Sequence, residues 1–345
     1  MTEKSVKEML EHVLDCHHLS EQESARLLKA LTDPSLSPAV AGAVLAGLRA
    51  KGVVASELRG FAGAMRELAR KPNVDGDLQR RAIDIVGTGG DASGSVNIST
   101  GTALLVAACG IPVIKHGNRS ISSRSGSADV LEALGLSLPL DERRAGDCLS
   151  ATGFSFLFAP HYHPAMKSIA PIRQALGIRT IFNVLGPLTN PAAPPFQLVG
   201  AYSEPMAELM AETLAGLPGL TRAFVVHGAL GWDEPTTAGP FVLFDVRSGV
   251  VTRSIRSPAD YGMSLCDPSE LAGGDAIDNA AALRAVFEGR DVGAHRDTLL
   301  MGAALALECA GLVADPMDGV VRATAVIDGG TAKQMLQKLA EFGRG

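Results

Sequence analysis

The sequence has no surplus of basic residues: 31 Lys and Arg stand against 37 Asp and Glu, a formal net charge of −6 over 345 residues. That balance argues against a surface built to neutralise a nucleic-acid backbone, although a basic pocket can sit inside an acidic whole. Five cysteines, Cys16, Cys109, Cys148, Cys266 and Cys309, are scattered and odd in number, with no C-x-x-C pair. Neither a disulfide framework nor a zinc site follows, and a reducing cytoplasm is the expected setting. The first residues lack the apolar core of a secretory signal, and every apolar run is broken by Gly, Pro or charge before it reaches membrane-spanning length. Nucleic acid and membrane are therefore not expected partners. Internal repeats and low-complexity tracts are missing too. So is G-x-x-x-x-G-K-[ST], which speaks against a P-loop ATPase.

What is present falls into two parts. Val6, Met9, Leu10, Val13 and Leu14 recur at helical spacing, and Ser20 with Glu23 forms a capping-box pattern ahead of Leu27, Leu28 and Leu31. Ser37-Pro38 suits the start of a third helix and Gly52 its end, while Leu58, Phe61, Met65 and Leu68 carry a fourth apolar stripe. Residues 1–72 are expected to form a small helical domain, joined by helices from about 165–190. The pattern breaks at Lys71-Pro72-Asn73. Beyond it, β-like runs at 83–86, 113–114, 198–201, 224–226 and 242–246 alternate with helical ones. Residues 73–345 are thus expected to form a large α/β domain with a mainly parallel central sheet. Four prolines within 187–195 mark a rigid connection where the chain is expected to cross between domains.

Three segments carry chemistry. In Asp84-Ile85-Val86-Gly87-Thr88-Gly89-Gly90-Asp91 an apolar strand runs into three glycines, whose missing Cβ atoms let backbone N–H groups close on an anion. Alone, such a turn is equally well a tight connector. Asn97-Ile98-Ser99-Thr100 follows and opens the apolar helix through Leu104, Leu105 and Val106. The free N–H groups and partial positive charge of that helix end attract phosphate, and a Ser or Thr hydroxyl there can also face a metal. Third, the run from Lys115 to Ser127 packs cations, five serines and two glycines between a strand and a helix, as a loop wrapping a polyphosphate would. Further along, the adjacent acids Asp233-Glu234 follow a strand and offer hard oxygen ligands to Mg²⁺.

Taken together, Gly87-Thr88-Gly89-Gly90-Asp91, Asn97 to Thr100 and Lys115 to Ser123 resemble the segments that bind phosphoribosyl pyrophosphate (PRPP) in the anthranilate phosphoribosyltransferase family. The resemblance continues through Phe158 to Met166, Arg173 to Thr180 and Asn183 to Asn190, and spans nearly the whole chain. It departs at Pro235 to Pro240, and at Ser95, where the family more often has Thr. The resemblance implies a nucleoside phosphorylase-like transferase fold and transfer of phosphoribose from PRPP to anthranilate, with release of pyrophosphate in tryptophan biosynthesis. It implies PRPP contacts at Gly87, Gly90, Asp91, Ser95, Asn97, Ile98, Ser99, Thr100, Lys115, His116, Gly117, Asn118, Arg119, Ser120, Ile121, Ser122, Ser123 and Ser127. Lys115 and Arg119 would act electrostatically on the leaving pyrophosphate. Anthranilate would meet Gly87, Asn118, His163 and Arg173, the last offering a guanidinium to its carboxylate. Mg²⁺, two ions per subunit, would be held by Ser99, Asp233 and Glu234, and a homodimer would form through the helical domain. His116 and His163 either shape the aromatic pocket or exchange a proton, and attack by an aromatic amine does not require the second. No amidotransferase domain is expected within these residues, and an amidotransferase partner is not read from them.

Overall fold

A computed structural model describes residues 4–91, 93–120 and 124–345. Four helices open the chain: α1 (Val6–Leu14), α2 (Glu21–Leu31), α3 (Pro38–Lys51) and α4 (Ala55–Leu68). Capping boxes at Ser5/Glu8 and Ser20/Glu23 start the first two, and Gly52 ends the third with φ +83°. Ser37 stands at the third N-cap, but its side chain makes no capping bond; Pro38 at the first helical position sets the entry instead. The buried Glu57 ties these helices together, accepting from Leu19 N–H at 2.9 Å, Val54 N–H at 3.1 Å and the Lys51 ammonium at 2.9 Å.

The chain then runs through α5 (Gly76–Gln79), β1 (Ile83–Gly87), α6 (Ile98–Ala108), β2 (Val113–Gly117), α7 (Ser127–Ala133), α8 (Glu142–Thr152) and β3 (Phe154–Phe158). Three helices follow: α9 (Ala159–Tyr162), α10 (Met166–Leu176) and α11 (Phe182–Leu185). Next come β4 (Phe196–Gly200), α12 (Glu204–Ala215), β5 (Arg222–His227), β6 (Phe241–Arg247) and β7 (Val250–Arg256). The chain closes with α13 (Ala276–Phe287), α14 (Ala294–Cys309), α15 (Pro316–Asp328) and α16 (Thr331–Arg344).

The seven strands lie in the order β3-β2-β1-β4-β5-β6-β7. Pairing is parallel from β3 across to β5 and antiparallel from β5 to β7. Strand periodicity divides the core in two. Leu198, Phe224 and Val226 point into one apolar layer with α6 and α14, whereas Val199, Ala223 and Val225 point into another with α1–α4, α11 and α12. The helical bundle therefore shares a core with that face of the sheet, packing onto it through α12, α10 and α11. Leu188 belongs to the layer under the bundle and Ala192 to the opposite one, so the proline-rich segment does pass from one side to the other. α6 is apolar on every face, and a Cβ on its Gly101 would come within 2.6 Å of Leu283 and 2.8 Å of Leu299. That close approach fixes the helix whose first turn faces the C-terminal ends of the strands.

Candidate active site

β1 ends in the glycine turn, and an acid from the loop after β5 holds that turn. Gly89 N–H donates to Asp233 Oδ2 at 2.5 Å, with Gly89 and Gly90 at φ +68° and +75°. A Cβ on Gly87 would stand 2.5 Å from Asp233 Oδ2, and one on Gly200 would stand 1.5 Å from the Asp233 carbonyl oxygen. Both glycines are thus required by how closely the acid lies on the strand ends. Asp91 Oδ2 accepts from Asp233 N–H at 3.3 Å, while its Oδ1 accepts from the Ser93 hydroxyl at 3.1 Å. Ser93 in turn lies 3.1 Å from the Ser95 hydroxyl.

The second acid reaches the helix end. Ser99 N–H, in the first turn of α6, donates to Glu234 Oε1 at 3.1 Å. Asn97 occupies the N-cap position but spends its side chain elsewhere, donating to Ser125 O at 3.2 Å and accepting from Asn279 at 2.8 Å. Ile98 is buried in the core, so only its backbone is available to a ligand. Thr100 Oγ1 is buried with no partner among the described residues.

Charge is concentrated here at low solvation. Burial raises Asp233 above the usual carboxylate range, and Asp91 adds repulsion. Burial likewise raises Glu234, with Asp233 as its repelling neighbour. Lys115, only 2% exposed, donates its ammonium to the Ile85 carbonyl. Burial pulls that ammonium below its ordinary value, while Asp84, Glu234 and Asp233 act against the shift. Carboxylates crowded in this way favour a cation among them. Their oxygens and the Ser99 hydroxyl are the hard donors Mg²⁺ takes, so the residues fit the ion. Among the described residues no three His, Cys, Asp or Glu side chains form a ready-made metal cage.

In the loop after β2, Arg119 pairs with the helix that follows. Its Nη1 donates to Asp129 at 2.7 Å and to Glu132 at 2.6 Å, its Nη2 donates to Glu132 at 2.8 Å, and it lies 5.7 Å over the Phe158 ring. Two acids on one face of α7 match the planar guanidinium fork, so the cation is spent on the helix that follows the loop. Ser120 N–H also donates to Asp129, at 3.3 Å, and Ser127 Oγ donates to Asn118 O at 3.4 Å. A Cβ on Gly117 would lie 2.7 Å from that Ser127 hydroxyl. Ile121, Ser122 and Ser123 lie outside the described residues.

At the other end, the structure brings His116 and His163 together, their rings edge to face at 5.0 Å. His116 Nδ1 lies 3.1 Å from Gly186 O and acts as the donor, which leaves Nε2 as a buried acceptor with no partner among the described residues. Burial holds His116 down to about 3 and His163 down to about 4. Asn118 Oδ1 accepts from Arg119 N–H at 2.7 Å. Arg173 stacks 5.3 Å from the Phe182 ring centre, and no hydrogen bond or ion pair among the described residues joins it to Asn118 or His163.

Sequence reasoning passed over several residues here. Arg179 donates to Gly90 O at 3.1 Å while stacking 4.7 Å over Tyr202, which links the segment after α10 to the glycine turn. Asn279 braces Asn97 from α13. Asp84 and Asn190 are wholly buried beneath β2, and a lone acid inside an apolar strand was the available signal for the first of them.

A model for "Glycosyl transferase family, a/b domain" matches residues 79–333, and one for "Glycosyl transferase family, helical bundle domain" matches residues 7–69. A relative from Pelotomaculum thermopropionicum named anthranilate phosphoribosyltransferase is 43% identical, covering 98% of this chain and 96% of its own. One of the same name from Methylobacterium nodulans is 45% identical, over 97% and 98%. The crystal structure of anthranilate phosphoribosyltransferase from Thermus thermophilus superposes with a TM-score of 0.90 at 38% identity, over 97% and 99%. The Saccharomyces cerevisiae enzyme in complex with PRPP and Mg gives 0.88 at 25% identity, over 99% of each chain.

Proposed function

The chain belongs to the anthranilate phosphoribosyltransferases of this glycosyl transferase family, and on that footing we propose how its residues divide the work. It transfers the 5-phosphoribosyl group of PRPP to anthranilate, giving N-(5-phosphoribosyl)anthranilate and pyrophosphate in tryptophan biosynthesis. One observation carries the assignment of roles: the buried Asp233 and the half-buried Glu234 beside it bond to both anion-binding devices, the glycine turn and the first turn of α6.

Ser99, Asp233 and Glu234 would hold Mg²⁺, two ions per subunit, which would supply positive charge against the departing pyrophosphate. Lys115 adds a positive charge that burial keeps undiluted by water. The N–H groups of the glycine turn and of α6 other than those of Gly89 and Ser99, which meet Asp233 and Glu234, bind phosphate oxygens as the ribose C1–O bond breaks and pyrophosphate leaves, while the anthranilate nitrogen attacks C1 and gives up its proton to solvent. Gly87, Gly90, Asp91, Ser95, Asn97 to Thr100, Gly117 to Ser120 and Ser127 line PRPP, and Ile121 to Ser123 complete that loop. Asn118, His163 and Arg173 hold anthranilate, Arg173 through its carboxylate. His116 Nε2 is placed to accept a hydrogen bond, but a group held at about 3 is too weak a base to keep a proton at neutral pH. The histidines accordingly shape the pocket, and catalysis rests on position and charge.

Two further proposals concern the setting. A homodimer forms through the helical bundle, for which the support is an apolar groove of about 820 Å³ between α3 and α10, lined by Ala39, Gly42, Ile172 and Leu176 among others. The protein works in the cytoplasm, in keeping with five free cysteines and with no described helix long and apolar enough to cross a membrane.

The assignment is tested by following pyrophosphate release with anthranilate, PRPP and Mg²⁺, omitting each in turn, beside phosphorolysis of thymidine and uridine. Release that needs all three reactants, with no phosphorolysis, is expected. Phosphorolysis without PRPP-dependent release would transfer the chain to the related nucleoside phosphorylases.

A further inference from the structure

β1 and β2 pair only at their start. Ile83 pairs with Val113, and Ile83 N–H donates to Pro112 O at 3.0 Å, whereas β1 pairs with β4 at five successive positions. A continued parallel ladder would next pair Ile85 with Lys115, running bonds from Ile85 N–H to Ile114 O and from His116 N–H to Ile85 O. No such pair forms among the described residues. Side chains take those groups instead. His116 N–H donates to Asp84 Oδ1 at 3.2 Å, Ile114 O accepts from Asn190 Nδ2 at 2.8 Å, and Ile85 O accepts from the Lys115 ammonium. Asn190 Nδ2 also donates to Asp84 Oδ2 at 2.8 Å, and Asn190 Oδ1 accepts from Ala192 N–H at 2.9 Å.

We propose that Asp84 and Asn190 are positioning residues for the transfer: they replace a rung of the sheet and thereby set where Lys115, His116 and the loop to Asn118 lie relative to the glycine turn. The rung sits where the chain leaves β1 for one PRPP segment and β2 for the other, so its width sets the gap between them. A carboxylate offers only acceptors, so both of its oxygens meet donors without ambiguity. An amide at position 84 would turn a donor toward Asn190 Nδ2 or toward His116 N–H, and one bond must be lost. Burial lifts Asp84 to about 6, while Asn190, Lys115 and the His116 N–H act to keep it ionised. A buried charge is costly to retain where a neutral residue would serve, which is consistent with a task only an acceptor pair performs. The network also joins the site to the segment crossing between domains, because Asn190 is anchored at Ala192 and His116 at Gly186.

This inference rests on the PRPP-dependent reaction proposed above, so wild-type protein is assayed first, and its inactivity would count against that reaction. With active wild type, Asp84→Asn is expected to raise the PRPP KM or lower kcat so that kcat/KM for PRPP falls at least tenfold, at a temperature where circular dichroism shows it folded. Asn190→Ser should show the same loss through the other half of the rung. Amide exchange of the peptide spanning residues 113–120 reads the rung with no substrate present, and a tenfold faster exchange is expected in either variant. Folded variants with wild-type constants, or with exchange unchanged, overturn the proposal. So does failure of both variants to fold, which would make the network a requirement of the fold alone.

Discussion

Asp233 and Glu234 are placed against their own electrostatic interest: adjacent, Asp233 buried and Glu234 half-buried, and each raised above its ordinary range by desolvation before any neighbour is counted. Such a pair costs the free protein stability that ligand binding returns. Glu234→Gln keeps the shape and removes a carboxyl whose ionisation burial opposes, so without ligand it should melt above wild type on the alkaline side of about 8, where wild-type Glu234 must carry its charge. The Asp233→Ala/Glu234→Ala double variant should lose about a hundredfold or more in kcat at saturating substrates. Steady-state kinetics and thermal melts check both, and unchanged turnover would refute the metal assignment. Trp232, the single tryptophan and itself buried, adjoins Asp233, so its emission should respond to Mg²⁺ with PRPP. For the histidines the sign follows from depressed values. Folded His116 at about 3 and His163 at about 4, against an ordinary 6.5, bind fewer protons than the unfolded chain, so their contribution is complete above 6.5 and fades as pH falls toward 4 and 3. Each tenfold loss of proton affinity on folding is worth roughly 1.4 kcal/mol, so His116→Asn should flatten the acid side of a urea-stability profile by a few kcal/mol. kcat, by contrast, should show no limb near 6.5 that this variant removes. Most residues named here were legible in the sequence because glycine, serine and paired acids advertise phosphate and metal chemistry. Asp84 and Asn190 were not, since their partners are backbone groups 32 and 76 positions away in the chain.

Among the elements, α7 has a part that spacing alone concealed. Asp129 and Glu132 hold Arg119, so the loop after β2 is fastened to the helix that follows it. If fastening is what Arg119 does, the Asp129→Asn/Glu132→Gln variant should raise the PRPP KM as much as Arg119→Ala, severalfold in each case. A variant that binds PRPP normally while Arg119→Ala does not would return Arg119 to the pyrophosphate itself. A structural contrast is offered by Glu57, whose side chain is fully buried with that of Lys51 nearly so. Glu57→Ala leaves that ammonium and two N–H groups short of an acceptor, and should cost about 3 kcal/mol in denaturant melts while kcat of the folded protein stays within twofold. Strands whose apolar runs end in glycine are legible from the sequence, whereas β3 and β7 are not among those it predicts. Phe154-Ser155-Phe156-Leu157-Phe158 is a nearly continuous apolar run buried on both faces, with no alternation to set it apart from a buried helix. β7 is an edge strand whose Val250 and Ile255 face solvent, so it lacks the buried face that makes a strand conspicuous. Its signal was the Ser248-Gly249 turn, with φ +53° and +78°.

At the scale of the molecule, the helical bundle shares a core with one face of the sheet. Arg179 reaching Gly90, and His116 reaching Gly186, tie the segment between α10 and β4 to the PRPP loops. The groove between α3 and α10 makes the proposed dimer testable apart from chemistry. Ile172→Glu should shift sedimentation from dimer to monomer, and an unchanged dimer would place the interface elsewhere. The overall plan was readable because two periodicities, helical and then alternating, change over near Lys71. The contact between the two parts was not, since a shared core leaves no mark on local spacing. The most direct test of the whole account is anthranilate fluorescence on mixing the purified protein with PRPP and Mg²⁺. Emission is predicted to fall only when all three are present, with one pyrophosphate released per anthranilate consumed. Steady emission from folded protein with intact PRPP would contradict it.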